Sequence, residues 1–339
     1  MRMGMTQMMI ANSSMHAPYV RMGRGSYRVM CDVLIAMIPP IVWAVYVFGG
    51  RAVTMIAVGV TFASAADYSF RRFIFRKGND FDVSAAVTGI LIGFALPVSA
   101  PLWLPAFAAL VAICVKYSAG GIGKNLFNPA ASGICVSYLL FGKNMTVFTK
   151  PFASLPVFAL SVPDAVLNEY GVATSLDLMR GGKVVTSSIA DYFYGIEAGA
   201  IGAVSAALLT VSLIYLLIRR VSGVGALAGY LMGMLVLTFF TAYADCEPID
   251  FAATQLFSGG IFLVSVFMLS DYSTSPSTMA GKIAFGVVCA AFTVAIRYYG
   301  MIHYGEYFAL LVSNMLVPVI DKATWQRVYG SYVRRNIDG

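Results

Sequence analysis

The chain has 339 residues, of which 59% are hydrophobic and 12% charged, with a formal net charge of +7. Soluble domains run roughly 45–50% apolar and about 25% charged. Surface-to-volume scaling always leaves a large exterior to solvate, so this composition excludes an ordinary cytosolic enzyme, a disordered tail and a disulfide scaffold, and makes lipid the solvent for much of the chain.

The first thirty residues contain neither a clean apolar stretch nor a cleavage site and do not read as a signal peptide. Ten apolar runs then follow, at about 30–48, 52–70, 83–99, 102–118, 126–142, 198–218, 224–243, 251–270, 281–299 and 306–321. They predict an all-α integral membrane protein with ten transmembrane helices. The whole chain, 1–339, forms one polytopic domain with halves at about 30–142 and 198–321. Asp67 falls inside the second run, a buried carboxylate without an assigned role. The runs at 83–99 and 126–142 are short and interrupted by glycine and proline.

Between the fourth and fifth runs lies YSAGGIGKNLFNPA, residues 117–130. Gly120, Gly121 and Gly123 permit close backbone approach, Asn125 and Asn128 bring amides, and Pro129 breaks the run. The stretch matches no P-loop or dinucleotide fingerprint. It serves either helix packing with a tight turn or the lining of a cofactor or ion path. The long segment 143–197 carries Pro151, Pro156 and Pro163 and closes on the aromatic run Asp191–Gly195. Its aromatic content favours an ordered lid on the membrane surface. Thr174, between Ala173 and Ser175, is expected there in a polar, exposed turn.

The second half contributes acidic groups at Asp245, Glu247, Asp250, Asp271 and Glu306. Carboxylates near membrane depth point to ion handling. Asp271, Asp250 and Glu306 are the candidate ion-path residues. For Asp271, which ends a run beside a hydroxyl-rich turn, helix-end capping competes with that role; for Asp250, a solvated outer-loop charge does. The cysteines, Cys31, Cys114, Cys135, Cys246 and Cys289, form no CxxC pair and read as buried structural thiols rather than a metal or iron–sulfur site. His16 and His303 are too far apart in sequence to suggest a ligand pair.

The basic residues sit between apolar runs, which makes them topology signals rather than a nucleic-acid surface. With the N-terminus in the cytoplasm, 17 Lys and Arg fall inside, Lys116 among them, and 6 outside, Arg51 and Arg297 among them. Both termini are then cytoplasmic and 143–197 lies outside. Residues 84–101 and 258–276 resemble each other: each opens on serine and small residues, runs apolar and ends in a Ser/Pro turn. Five runs per half, the second half entering from the opposite side, would make an inverted repeat, a design that places its sites between the halves.

Several stretches together carry a family resemblance. They are SAAVTGILIGFALPVSAPLWLP (84–105), GGIGKNLFNPA (120–130), FSGGIFLVSVFMLSD (257–271) with TSP (274–276), and LLVSNMLVPVID (310–321). HAPYVR (16–21) and VLIAMIPPIVWAVYVFG (33–49) also fit. The chain resembles the RnfD/NqrB family, flavin-bearing membrane subunits of the Rnf complex and of the Na⁺-pumping NADH:quinone reductase, and by its length is more similar to the Rnf D subunit. The resemblance implies a ten-helix bundle of two inverted five-helix halves in the inner membrane of a prokaryote. It also implies FMN joined through its phosphate to a threonine outside the membrane, within a motif of the form D-x-x-[ST]-G-A-T. Here Ala173, Thr174 and Leu176 match that pattern, whereas Asn168, Gly171 and Val172 depart from it. Thr174 is the expected anchor, Ser175 the neighbouring hydroxyl.

The function so implied is electron relay within a ferredoxin:NAD⁺ oxidoreductase complex, coupled to Na⁺ or H⁺ movement. Partner subunits would handle ferredoxin and NAD⁺, since this chain has no complete active site. A second, non-covalent flavin such as riboflavin fits the family. The rival from another class is a redox-free channel or carrier for a small solute on the same repeat.

Overall fold

The computed structural model describes residues 26–74, 82–118, 125–175, 178, 189–242, 247–271, 273–300 and 302–324. HAPYVR, the three glycines at 120, 121 and 123, Asp245, Cys246 and most of 176–188 lie outside the described residues. The first half contains α1 (Ser26–Ala36), α2 (Ile38–Phe48), α3 (Gly50–Ser69) running into a π-helical turn at Phe70–Ile74, α4 (Val83–Ala95), α5 (Trp103–Ser118) and α6 (Pro129–Met145). The connecting segment forms β1 (Phe148–Thr149), α7 (Asp164–Tyr170), β2 (Gly171–Val172) and α8 (Ile189–Tyr194). The second half contains α9 (Ala206–Ile218), α10 (Val224–Phe240), α11 (Pro248–Phe257), α12 (Ile261–Leu263) with a π-helical turn at Val264–Met268, α13 (Met279–Tyr299) and α14 (Gly305–Thr324).

Helix therefore occupies each of the ten apolar runs. Fewer reach spanning length: Tyr27–Phe48, Gly50–Ile74 and Met279–Tyr299 are long and apolar enough to cross a membrane, and a fourth span arises if Pro248–Phe257 and Ile261–Met268, bent by 59°, count as one. The shortfall has local causes. In the third run α4 stops at Ala95 because Leu96 precedes Pro97 and is driven to extended backbone (φ −86, ψ 148). In the eighth run the chain breaks at Ser258, which is extended, and Gly259, which has φ +72.

The two halves repeat one packing scheme. In the first, α3 packs on α4 and α5, and α5 on α6; in the second, α10 packs on α11 and α13, and α13 on α14. Small residues permit the close approaches. A Cβ on Gly59 would lie 2.6 Å from the Gly89 carbonyl oxygen, and one on Gly286 would lie 2.6 Å from the Tyr230 nitrogen. The halves also cap each other. Ile201 and Gly202 donate their N–H groups to the Leu96 and Phe94 carbonyls at 3.0 and 2.9 Å. In return Asn128, which caps α6 by accepting from Ala131 N at 3.2 Å, reaches the Met268 carbonyl at 3.5 Å. Backbone freed inside an apolar bundle must find such partners.

Candidate functional site

Two cavities open at the two ends of α6. The helix has 17 residues, so its ends lie about 25 Å apart. The larger, of about 110 Å³, sits at the N-terminal end, with Ser84, Lys116, Asn125, Asn128, Phe267 and Asp271 among its walls. The smaller, of about 50 Å³, sits at the other end, where Tyr304 donates to the Met145 carbonyl at 3.0 Å. Thr174, Ser175, Glu197, Gly260 and Glu306 share its wall with aromatic side chains.

The placement of Thr174 corrects the sequence expectation of an exposed turn. β1 pairs antiparallel with β2, with Phe148 opposite Val172 and Thr149 opposite Gly171. Beyond β2, Ala173 is exposed, whereas Thr174 and Ser175 are both buried, at 7% and 3% exposure. The Thr174 carbonyl then accepts from Leu178 N at 3.0 Å. Ser175 bonds to the Glu197 carboxyl, and Tyr192 of α8 donates to the Ser175 hydroxyl at 2.8 Å. Burial pushes the Glu197 carboxyl up to about 8, with the charge of Asp191 adding to the shift.

Opposite this chain of hydroxyls stands Glu306, in the first turn of α14 and 1% exposed. Its Oε2 accepts from Arg297 Nη2 at 3.0 Å and its Oε1 from Gly260 N at 2.7 Å. A Cβ at Gly260 would stand 2.6 Å from that same Glu306 oxygen and 2.7 Å from the Tyr307 hydroxyl, so a side chain there would push both aside. Arg297, near the end of α13, also donates to the Gln255 and Ser258 carbonyls at 3.1 and 3.4 Å. One neutral pair thus holds the backbone where the eighth run breaks.

At the other cavity a second ionic cluster is balanced two against two. Lys116 Nζ lies 2.8 Å from Asp67 and 2.9 Å from Asp82, and donates to Ser84 at 2.8 Å. Arg71 pairs with Asp67 at 2.8 Å and also with Asp82. Asp67 therefore gains the partners that the sequence left unassigned. Asp271 lines the same cavity and accepts from the Ser273 N–H and hydroxyl at 3.2 and 2.9 Å. It is a turn-capping carboxylate that also stands in a cavity wall.

The structure thus brings Thr174, Ser175 and Glu306 to one cavity and Asp271 to the other. Ala173 is exposed beside the first. Asp250 lines neither: it stands exposed in the first turn of α11, where a negative charge suits the helix dipole. Sequence reasoning missed Glu197 and Tyr192. It counted Arg297 and Arg51 as outer charges and Lys116 as an inner one, although these are 3%, 1% and 2% exposed. The available signal was position: each basic residue falls inside an apolar helix or at its first turn, rather than in a loop.

Comparison with known proteins finds a family profile, described as the NQR2, RnfD, RnfE family, that matches residues 13–330. One relative is the D subunit of the Na⁺-translocating ferredoxin:NAD⁺ oxidoreductase complex of Acetobacterium woodii, 30% identical, with 93% of this chain and 94% of the relative covered. The D subunit of the proton-translocating ferredoxin:NAD⁺ oxidoreductase complex of Clostridium ljungdahlii is 28% identical, with 93% and 95% covered. The D subunit of the ion-translocating oxidoreductase complex of Stutzerimonas stutzeri is 28% identical, with 91% and 93% covered.

Proposed function

The chain belongs to the NQR2, RnfD, RnfE family, and on that premise we propose that it is the D-type membrane subunit of an ion-translocating ferredoxin:NAD⁺ oxidoreductase complex that carries FMN on Thr174. In this reading ten helices cross the cytoplasmic membrane as two inverted halves, both termini are cytoplasmic, and 143–197 lies outside. The shared packing scheme of the halves and their reciprocal capping support the repeat. Partner subunits supply ferredoxin and NAD⁺ chemistry.

The observation that carries the flavin assignment is the setting of the Thr174 hydroxyl. It stands at the wall of a cavity with the rings of Phe148, Phe257, His303 and Tyr304. Aromatic walls and a glycine backbone suit the edge of a planar ring. The cavity, at about 50 Å³, seats the anchor and part of a ring rather than a whole tricycle. Among the described residues no lysine or arginine lines it, so no cation in this lining meets a phosphate ester at Thr174. When bound, the flavin supplies reversible electron transfer, and the protein supplies position and electrostatics. Thr174 anchors, the aromatic side chains flank, and the Arg297–Glu306 pair keeps Gly260 in place. The larger cavity, with its amides and Phe267, is where we place a second, non-covalent flavin such as riboflavin.

Glu306 and Asp271 are the carboxylates that we assign to the coupled ion path, one at each cavity. Which ion moves is not written in overall similarity, since relatives of 30% and 28% identity are named for Na⁺ and for protons respectively.

In-gel flavin fluorescence of the denatured chain, co-expressed with its flavin transferase, tests the reading. The wild-type band should fluoresce, and Thr174→Ala should abolish the signal. A colourless wild-type band overturns the assignment and favours the redox-free carrier. Fluorescence that survives Thr174→Ala and disappears in Ser175→Ala moves the anchor by one residue.

A further inference from the structure

We propose that the small cavity beside Thr174 binds one small monovalent cation, held by the carboxylates of Glu197 and Glu306 and the hydroxyl of Tyr307; the proposal deepens the assignment of Glu306 to the ion path and does not depend on a flavin at Thr174. The charge balance of the walls sets the class of ligand. Glu197 and Glu306 both line the space, and among the described residues no lysine or arginine does. Behind the wall, Arg297 meets Glu306 at 3.0 Å and cancels its charge. Glu197 is hydrogen-bonded to Ser175, and among the described residues it forms no ion pair. One negative charge is left over, which a monovalent cation neutralises and a divalent cation would exceed.

Tyr307 supplies an observation independent of the charges. It is 1% exposed and lies in the cavity wall, and among the described residues its hydroxyl has no hydrogen-bond partner. A buried polar group in that state calls for a water or an ion. Gly260 fixes where the hydroxyl stands. A Cβ there would meet the Tyr307 hydroxyl at 2.7 Å and Glu306 Oε1 at 2.6 Å, so the two oxygens converge on one side of this glycine. Glu306 Oε1 accepts from Gly260 N at 2.7 Å, and a carboxylate oxygen has a lone pair for a second partner. The Ser175 oxygen, which accepts from Tyr192 at 2.8 Å, likewise keeps one lone pair toward the same space.

Size and donor chemistry agree with this. The cavity measures about 50 Å³, and a single water needs roughly 10–15 Å³, so an ion with part of its hydration shell fits. Carboxylate and hydroxyl oxygens are hard donors, the ligands of hard cations rather than of soft metals. With no cation bound, Glu197 keeps a proton instead: burial pushes its carboxyl up to about 8, with Asp191 on α8 adding to the shift. His303 and Tyr304 complete the titratable groups in the walls.

Thermal midpoints of the full-length chain in detergent test the site. Choline chloride is replaced stepwise by NaCl, LiCl or KCl at constant ionic strength and pH 8, since an ion that binds only the folded state raises the midpoint. The wild-type midpoint should rise and saturate with at least one of the three ions, and flavin-free Thr174→Ala should do the same. Glu197→Gln should abolish the rise. Tyr307→Phe should move half-saturation to higher salt, yet melt in choline no lower than wild type, because the hydroxyl removed has no partner to lose. A purely structural Tyr307 would lower the midpoint in every salt. Equal wild-type midpoints in all four salts overturn the proposal, and so does a rise that survives both Glu197→Gln and Tyr307→Phe. A rise that survives Glu197→Gln and disappears in Asp271→Asn places the ion in the larger cavity and overturns it as well, with the ion-path reading left standing. That reading fails by a different measurement, unchanged ion stoichiometry of the assembled complex carrying Glu306→Gln. The midpoints would then still support a bound cation, one that lies off the path.

Discussion

Each half of this bundle breaks a helix beside a buried arginine, and the two arginines solve the problem differently. In the first half Arg51, at the start of α3, donates to the Val98 and Ala100 carbonyls at 2.8 and 3.0 Å and to Pro156 and Ala159 at 2.7 and 3.0 Å. Among the described residues no carboxylate pairs with it. Its charge is spread over four backbone dipoles, two from the break and two from the connecting segment. In the second half Arg297 also gathers two carbonyls from a break, but its charge is met by Glu306, which itself holds Gly260 N. The first arrangement fixes the connecting segment onto the scaffold. The second leaves an ionisable group on the wall of the Thr174 cavity. Two buried arginines can therefore share one geometric task and still be told apart by the partner of the cation.

Breaking the pair in the second half should have the largest effect. Arg297→Met strands Glu306 in an apolar interior, and losing one partner of a buried pair costs about 3–5 kcal/mol. The loss should appear as a lowered thermal midpoint in detergent. The double variant Arg297→Met with Glu306→Gln removes the stranded charge and should recover at least half of the loss. If the double variant is as unstable as the single one, the carbonyl contacts rather than the charge hold the second break, and the contrast with Arg51 disappears.

Arg51→Lys should cost less, about 2–3 kcal/mol, because the charge stays while the planar fork that reaches four carbonyls is lost and some acceptors go unpaired. Limited proteolysis of the 150–160 segment should accelerate with it, since Pro156 and Ala159 lose their tie to α3. Arg297→Lys keeps a counter-ion for Glu306 and should leave that segment as resistant as in the wild type. Equal acceleration in both variants would mean that the two breaks are not separately anchored.

Much of this architecture was legible in the sequence, and the reasons for the misses are physical. Apolar runs marked the helices of the two halves, though not α7 and α8 of the connecting segment, because burial in lipid or in protein demands the same residues. Lengths were less legible, because Pro97 and Gly259 sit inside runs that hydropathy reads as continuous. The buried cations were the largest misreading. A lysine or arginine at the end of an apolar run looks alike whether it meets headgroups or folds inward onto carbonyls, as Arg51 does, or onto carboxylates, as Lys116 does. Setting these three aside strengthens the orientation argument, since one comes from the cytoplasmic side of the count and two from the outer. Thr174 was found through a motif, but its burial was not, since the ribbon that tucks it under joins Phe148 to Val172 across a gap in sequence that periodicity cannot bridge. Glu197 was missed for the same reason: nothing local marks it, and its partner Ser175 stands 22 residues away in sequence.

The last expected effect concerns the same carboxyl and sharpens the comparison from the side of the cavity that has no cation. Glu197 titrates near 8 in the folded chain against an ordinary 4.5. Between those values the folded state binds a proton that the unfolded state has released, so stability falls as pH rises through this window and levels off above it. Glu197→Gln imitates the protonated acid at every pH and carries no such slope. Wild type and variant should therefore melt together near pH 4.5, and the variant should pull ahead toward pH 8. Because all other titrating groups are common to the two chains, the difference isolates this one. A constant offset across the window would mean that Glu197 is ionised at neutral pH and has found a counter-charge, and the Thr174 cavity would then hold two compensated carboxylates instead of one compensated and one kept neutral.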